Sequence, residues 1–146
     1  MKFEGTFNVK APPETVFGFL LDPNAIAKCL PEVQNIDVQG PDKFRARVKA
    51  GVGFIKGTFD FQFTILDKQP PSHAKLAGHG TGTGSAIDLD TIFDLKPSSD
   101  GGTEMKWVAD AKVSGLIAGV GSRLIDSAAS KVITQMFDSL KKELEK

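Results

Sequence analysis

Apolar and polar residues alternate along the first nine positions of the chain, with Phe3 and Phe7 on the same side. This period of two predicts a half-buried β-strand. A Pro-Pro pair at 12–13 ends the alternation, because proline fixes φ and donates no ladder hydrogen bond. Apolar residues then recur at helical spacing, and a second short helix is predicted from Asp22-Pro23 to Pro31. The chain is therefore expected to open with one strand and two short helices.

Six further alternating segments occupy residues 33 to 113, and turns rich in glycine, proline and aspartate separate them. The segment 58–66 is typical, since Phe59, Phe61 and Phe63 fall on one face and polar residues on the other. Connections this short join neighbouring strands as hairpins. The pattern predicts an antiparallel sheet of seven strands in total, with one apolar face and one polar face.

From about Leu116 the apolar period becomes helical and remains so to the end of the chain. About 30 residues predict a helix about 45 Å long. An amphipathic helix of this length is expected to bury its apolar stripe against the concave face of the sheet. We therefore expect an α+β fold in which one domain spans residues 1–146 and the sheet wraps around the C-terminal helix. The predicted stripe comprises Val120, Leu124, Ala128, Val132, Met136 and Leu140. The residues that widen it are Ile117, Ile125, Ala129, Ile133, Phe137 and Leu144.

The composition excludes several classes of protein. Among the 146 residues, 18 Lys and Arg balance 18 Asp and Glu, so a nucleic-acid binder that depends on a strong basic field is not expected. Cys29 is the single cysteine, which excludes an intrachain disulfide and a cysteine-based zinc site. The first residues lack the pattern of a secretory leader, and no apolar run approaches 18 residues. We therefore expect a cytoplasmic protein without a membrane-spanning segment.

No arrangement of residues predicts catalysis, a metal or a cofactor. The glycine-rich segment 78–84 resembles a phosphate-binding loop, but a strand pattern follows it where such a loop needs a helix N-terminus. His73 and His79 have no carboxylates at ligand spacing, and they are expected in a solvated turn and on the outer sheet face. Cys29 lies in an apolar segment, where a thiol usually behaves as a small buried hydrophobe.

Large and small apolar residues share the predicted concave face, which allows either a packed core or a cavity under the long helix. Glycines at alternate positions from 78 to 84 remove side chains from one strand and favour an apolar pocket with few polar groups. The residues predicted to line this cavity are Phe59, Phe61, Gly78, Gly80, Trp107, Ala109, Val120, Leu124, Ala128 and Val132.

Access to such a cavity is expected at two glycine-rich segments. The hairpin tip 51–57 presents Phe54 and Ile55 between glycines, and Gly119 and Gly121 lie near the start of the long helix. Two interpretations of the tip remain open. Phe54 and Ile55 either fold back onto the core, or form a lid or a tip that touches a membrane or a partner.

Several segments of the chain resemble the CoxG family of carbon monoxide dehydrogenase subunits, which belongs to the START-like, or SRPBCC, superfamily. The resemblance covers essentially the whole chain and implies the helix-grip fold. The residues that carry it are Phe3-Glu4-Gly5, the segment 11–17, Leu21-Asp22-Pro23, Cys29-Leu30-Pro31, the segment 53–59 and the segment 121–129.

This resemblance implies a non-catalytic accessory protein of a molybdenum-containing carbon monoxide dehydrogenase or a related hydroxylase. The family is associated with attaching that enzyme to the cytoplasmic membrane, and an apolar cavity would suit a quinone or a lipid. Some members carry a C-terminal membrane-binding extension, whereas this sequence ends at Lys146. Membrane contact is therefore expected to be peripheral, at the inner face. A polyketide cyclase-type enzyme of the same fold, and a protein-interaction module with a filled core, remain alternatives.

Overall fold

The computed structural model describes residues 1–30, 32–52 and 54–146, so Pro31 at the predicted end of the second helix and Gly53 of the hairpin tip lie outside the described residues. A short 3-10 turn at Ile117–Val120 precedes the last helix. The remaining elements, in chain order, are β1 (Lys2–Val9), α1 (Pro13–Leu20), α2 (Pro23–Ala27), β2 (Val33–Val38), β3 (Lys43–Val52), β4 (Ile55–Gln69), β5 (His73–Gly82), β6 (Ser85–Pro97), β7 (Thr103–Gly115) and α3 (Ser122–Leu144).

The seven strands form one antiparallel sheet, as the hairpin pattern predicts. Their order is β1-β7-β6-β5-β4-β3-β2, in which β1 pairs with the last strand. Residues paired across neighbouring strands lie on the same face of a sheet. Phe61 pairs with Gly80, Gly80 with Ile87, and Ile87 with Val113. The alternation in the sequence therefore predicts the faces of the central strands correctly.

The two short helices begin where the sequence predicts. Pro13 occupies the first turn of α1, where a missing N–H costs no helical hydrogen bond. The carboxylate of Asp22 caps α2, since its Oδ1 accepts from the backbone N–H groups of Asn24 at 3.0 Å and Ala25 at 3.4 Å.

The tightest packing lies at one end of the sheet, between α1, the end of β1 and the C-terminal half of α3. Val16, Met105 and Leu140 are completely shielded from solvent there. The hydroxyl of Thr103 donates to the carbonyl of Ala11 at 2.6 Å, which ties β7 to the connection between β1 and α1. This end anchors the C-terminal half of α3 to the sheet.

The last helix is shorter than the sequence predicts. Gly121, at φ 98° and ψ 151°, separates the 3-10 turn from α3 and has a backbone conformation that residues with a side chain rarely adopt. The α-helix therefore has 23 residues and is about 35 Å long rather than about 45 Å.

Candidate ligand-binding cleft

The concave face of the sheet is apolar and only partly covered. The inward-facing residues of β5, β6 and β7 include three polar side chains, the hydroxyls of Ser85, Thr91 and Thr103, and none that titrates. Away from the tightly packed end, Ala46, Phe59 and Ser85 are buried, whereas several inward side chains of β6 and β7 remain half-buried. These half-buried residues are Ile87, Leu89, Ala109, Ala111 and Val113.

The position of α3 explains this partial cover. The helix contacts β1, at one edge of the sheet, and β3, next to the opposite edge. Its C-terminal half is held by Leu140, whereas its N-terminal half lies over the half-buried part of the concave face. The inward side chains of β6 and β7 beneath the first half of α3 are therefore covered less completely than those at the Leu140 end.

One cleft of about 420 Å³ lies between β1, β7 and the middle of α3. The indole of Trp107 forms part of its wall, 5.2 Å from the ring of Phe137. Gly5 allows this position, because a Cβ there would be 3.0 Å from Cζ2 of the indole. The cleft is lined by Lys2, Phe3, Glu4, Trp107, Ser130, Ile133 and Thr134.

The glycines of β5 are covered by phenylalanine rings from β4. A Cβ on Gly78 would be 2.8 Å from Cε1 of Phe63, and a Cβ on Gly80 would overlap the ring of Phe61. These two rings stack with centroids 5.5 Å apart. The expectation that the glycines open an empty volume is therefore wrong, because neighbouring rings occupy the space that their missing side chains leave.

Two predicted lining residues lie away from the concave face. Leu124 is 44% exposed and Val132 is 39% exposed, whereas Leu140 is 0% exposed. Each helical residue turns the chain by about 100°, so a stripe built in steps of four drifts by about 40° per step. Leu124 consequently points about 160° away from Leu140. Val132 points about 80° away from it.

The helical positions that the drift brings toward the sheet are Ile125, Ala129 and Ile133, and all three are half-buried. The sequence pattern includes all three in the widened apolar stripe, although not among the predicted cavity residues. The sequence pattern places Phe3 on the apolar side of β1 but not at a cleft. It does not identify Ser130 and Thr134, because polar helical residues beside a strand edge leave no periodic signal. The remaining predicted residues vary in exposure. Phe59 is 2% exposed, and Phe61, Trp107, Ala109, Val120 and Ala128 are half-buried.

The two glycine-rich segments lie at the same end of the sheet. A Cβ on Gly57 would contact the side chain of Thr83, in the turn between β5 and β6. Leu116 lies against Gly84, the next residue of the same turn. Phe54 is 84% exposed, so it does not fold back onto the core, while Ile55 is half-buried. Gly119 and Gly121 are exposed beside the start of α3.

The two histidines lie away from the cleft, whereas Lys2 and Glu4 line it. His79 is on the outer sheet face, with Nδ1 2.5 Å from Asp88. His73 is half-buried at the start of β5 instead of lying in a solvated turn, and its Nδ1 is 2.6 Å from Asp94. Among the described residues, no group of three His, Cys, Asp or Glu side chains is placed to hold a metal.

Cys29 is buried, as the sequence predicts. It is 3% exposed, and its Sγ lies 3.9 Å from the carbonyl oxygen of Ala25. Burial raises the pKa of the Cys29 thiol, and the neighbouring Glu143 carboxylate raises it further. The thiol is therefore held in its neutral, poorly nucleophilic form.

None of the helices in the described ranges combines the length and the hydrophobicity that crossing a bilayer requires.

Three solved structures illustrate the fold. A conserved protein from Geobacillus kaustophilus is 28% identical with a TM-score of 0.91, and the match covers 99% of this chain and 95% of that one. A START superfamily protein from Mycobacterium smegmatis is 14% identical with a TM-score of 0.74 and coverages of 98% and 96%. The ZhuI aromatase/cyclase from Streptomyces sp. R1128 is 14% identical with a TM-score of 0.74 and coverages of 99% and 93%. The fold is the START-like helix-grip fold.

The comparison with curated proteins found no match. The family model for CoxG subunits of carbon monoxide dehydrogenase matches residues 5–145, nearly the full length of the chain. Together with the half-covered apolar sheet and the helix-grip fold, this match shows that the chain belongs to the CoxG family.

Proposed function

We propose that this protein, taken as a single domain of residues 1–146, is a non-catalytic accessory protein that holds an apolar ligand, a quinone or a lipid, between the sheet and α3. The observation that carries the proposal is the apolar concave face, on which several inward side chains of β6 and β7 are only half-buried and no inward side chain of β5, β6 or β7 titrates. Family membership supports assistance to a molybdenum-containing carbon monoxide dehydrogenase or a related hydroxylase.

A cyclase-type enzyme is the less favoured alternative. General acid–base catalysis needs a titratable group within hydrogen-bond reach of the substrate. His73 and His79 are paired with aspartates on the outer side of the sheet, and the thiol of Cys29 is buried and neutral. Lys2 and Glu4, which line the cleft, are exposed and paired with each other at 3.7 Å. The likeness to the aromatase/cyclase, at 14% identity, concerns the fold alone.

The first test is native mass spectrometry of the purified protein, followed by organic extraction and identification of any bound molecule. A co-purifying quinone or lipid supports the proposal. An empty protein that also fails to bind added quinones, fatty acids and phospholipids would contradict it and leave protein–protein docking as the main role.

A pair of variants locates the bound molecule. Ala111 faces inward and is half-buried, whereas Ala86 on β6 faces outward. Ala111→Leu should reduce the bound fraction because its larger side chain would occupy the proposed ligand position under α3. Ala86→Leu should leave that fraction unchanged. Gly80→Leu is unsuitable as a probe, because its side chain would meet the ring of Phe61 whether or not a ligand is present.

Peripheral contact with the inner face of the membrane is supported by the charges at one end of the sheet. This end carries the hairpin tip 51–57 and the start of α3. Three chain segments meet at this end, 49–57, 81–87 and 111–124, and none of them contains an acidic residue. Their basic residues are Lys49, Lys56, Lys112 and Arg123. The exposed Phe54 and the 63% exposed Leu116 belong to the same segments. Apolar side chains among cations suit the anionic cytoplasmic leaflet.

Vesicle co-flotation tests this contact. Binding to vesicles that contain phosphatidylglycerol, and weaker binding to phosphatidylcholine alone, is the expected result. Phe54→Ser should reduce binding, whereas Leu66→Ser, a change at a 55% exposed leucine toward the other end of β4, should not. Equal binding of both variants would exclude the tip as the contact.

A further inference from the structure

The sheet has two free edges, formed by β1 and β2, and the two edge strands expose different residues. Met1 and Ala111 exchange backbone hydrogen bonds of 2.6 and 2.7 Å at the start of the β1–β7 pair. Hydrogen-bonded pairs alternate along antiparallel strands, so Lys2 and Glu4 direct their backbone N–H and C=O groups to the free edge. Charged residues at such positions disfavour pairing with a further strand.

The edge of β2 lacks this protection. The backbone N–H of Gln39 donates to the carbonyl of Lys43 at 2.9 Å, which makes these residues a hydrogen-bonded pair of the β2–β3 hairpin. By the same alternation, Ile36 and Val38 direct their N–H and C=O groups away from β3. Within the described ranges, β3 is the one strand that pairs with β2. The edge therefore offers unpaired donors and acceptors at two apolar positions.

The side chains of Ile36 and Val38 belong to the concave face of the sheet. Ile36 pairs with the buried Ala46, and Val38 pairs with the buried Phe44. Val38 itself is 47% exposed, because no strand lies beyond it in the sheet order. A strand added at this edge would cover Val38 and extend the concave face.

The last helix has an apolar surface on the same side of the molecule. Val132 is two residues from both Ser130 and Thr134, and two helical residues turn the chain by about 200°. Ser130 and Thr134 line the cleft beside β1, so Val132 lies on the opposite flank of α3, on the side of β3. Val132 is exposed, and Ala128, one turn earlier, is half-buried. Inward side chains of an added strand would point toward this flank.

Asp37 determines which charge suits an added strand. It is exposed on the outer face, and it takes part in none of the ion pairs formed among residues 1–30, 32–52 and 54–146. Arg45, directly opposite on β3, donates from its Nε to Gln62 at 2.8 Å. A basic residue opposite Asp37 on an added strand is therefore favourable. A second copy of this chain that pairs Ile36 with Val38 would bring two Asp37 carboxylates together, which is unfavourable.

We propose that the free edge of β2 docks an extended segment of a partner protein in which a basic residue stands between two apolar residues. The backbone of this segment pairs with Ile36 and Val38 as an added strand. Its apolar side chains lie on the concave face toward α3, and its basic side chain faces Asp37. The inference goes beyond the proposed function, since this pairing requires no bound ligand.

Synthetic peptides test the edge directly. The probe is acetyl-Ser-Val-Lys-Val-Ser-amide, and the amide chemical shifts of isotope-labelled protein report where it binds. At millimolar peptide, the changes should be largest at residues 34–38. N-methylation of both valines removes the donors that face β2 and should abolish these changes. N-methylation of the lysine is the matched control, because its N–H points away from β2, and it should leave them in place.

Three variants separate the backbone from the charge. Val38→Pro removes the N–H at the edge but no hydrogen bond to β3, so the protein should stay folded and lose peptide binding. Val38→Thr keeps that N–H and should bind the peptide nearly as well as the wild type. Asp37→Lys should weaken binding of the lysine peptide by about twofold to fivefold. It should strengthen binding of the corresponding glutamate peptide by a similar factor.

Several results would overturn the inference. The first is the absence of shift changes at residues 34–38 in the folded wild type, and the second is equal binding of the two N-methylated peptides. The third is an equal affinity of the wild type for the lysine and glutamate peptides. Dimers that form with rising protein concentration in sedimentation, and that Val38→Pro abolishes, would show that a second copy covers this edge instead. None of these results depends on ligand binding, so each leaves the proposed function standing.

Discussion

The indole of Trp107 lies against Gly5 across the β1–β7 pair, so closely that a Cβ on Gly5 would be 3.0 Å from Cζ2 and 3.3 Å from Nε1. The glycine therefore determines where the indole rests. It also brings the aromatic wall of the cleft against the backbone of an edge strand.

Gly5→Val should displace the indole and lower the free energy of unfolding by about 1–3 kcal/mol, the usual range for overpacking. Urea denaturation and the wavelength of Trp107 emission measure the two effects. Gly40→Ala is the control, since a Cβ at Gly40 meets no atom within 4 Å and should leave both quantities nearly unchanged.

Gly80→Ala should also destabilise the protein by about 1–3 kcal/mol, because the added Cβ overlaps the ring of Phe61. The loss should shrink when Phe61 is already replaced by leucine, since the obstructing ring is then gone. A double-mutant cycle by urea denaturation measures this coupling. Additive effects would show that the ring does not occupy the space above Gly80.

Leu124→Ala and Leu140→Ala make the same chemical change on two faces of α3. Leu140 is 0% exposed, so its truncation should cost about 2–5 kcal/mol of unfolding free energy. Leu124 is 44% exposed, and its truncation should cost about 0.5 kcal/mol or less. Similar losses at both positions would place Leu124 in the core after all.

Cys29 should make stability depend on pH in the alkaline range. The pKa of the Cys29 thiol is raised in the folded protein, so folding favours the neutral thiol. This contribution to stability is complete below the thiol pKa of the unfolded chain, about 8.5. Stability should fall as the pH rises from that value through the raised pKa of the folded state. Unfolding of the wild type and of Cys29→Ala between pH 7 and 10 tests this, because the variant should lack this component of the slope.

The same thiol should react slowly. The side chain of Cys29 is 3% exposed and its pKa is raised, and both features slow the reaction of a thiol. At pH 7.5, iodoacetamide should alkylate Cys29 at least tenfold more slowly in the folded protein than in the urea-unfolded protein. Equal rates would show that the segment around Cys29 opens readily.

The faces of the strands could be predicted from the sequence because a period of two leaves no ambiguity about which side each residue occupies. The contact between Phe61 and Gly80 could not, since it depends on the register between β4 and β5. The predicted position of Leu124 is wrong because a stripe in steps of four rotates around the helix over four turns. The cleft beside β1 depends on the placement of α3, which hydrophobic periodicity does not specify.

The uneven packing of the two ends should divide the molecule into regions of different local stability. Backbone amides around Leu140 and Met105 lie in the completely shielded end, so their hydrogen exchange should require global unfolding. Amides in the first two turns of α3, which follow Gly121 and carry the exposed Leu124, should exchange through smaller openings. Opening of the start of α3 would leave the anchored end folded, so a ligand of the proposed kind would load and leave without unfolding of the whole chain.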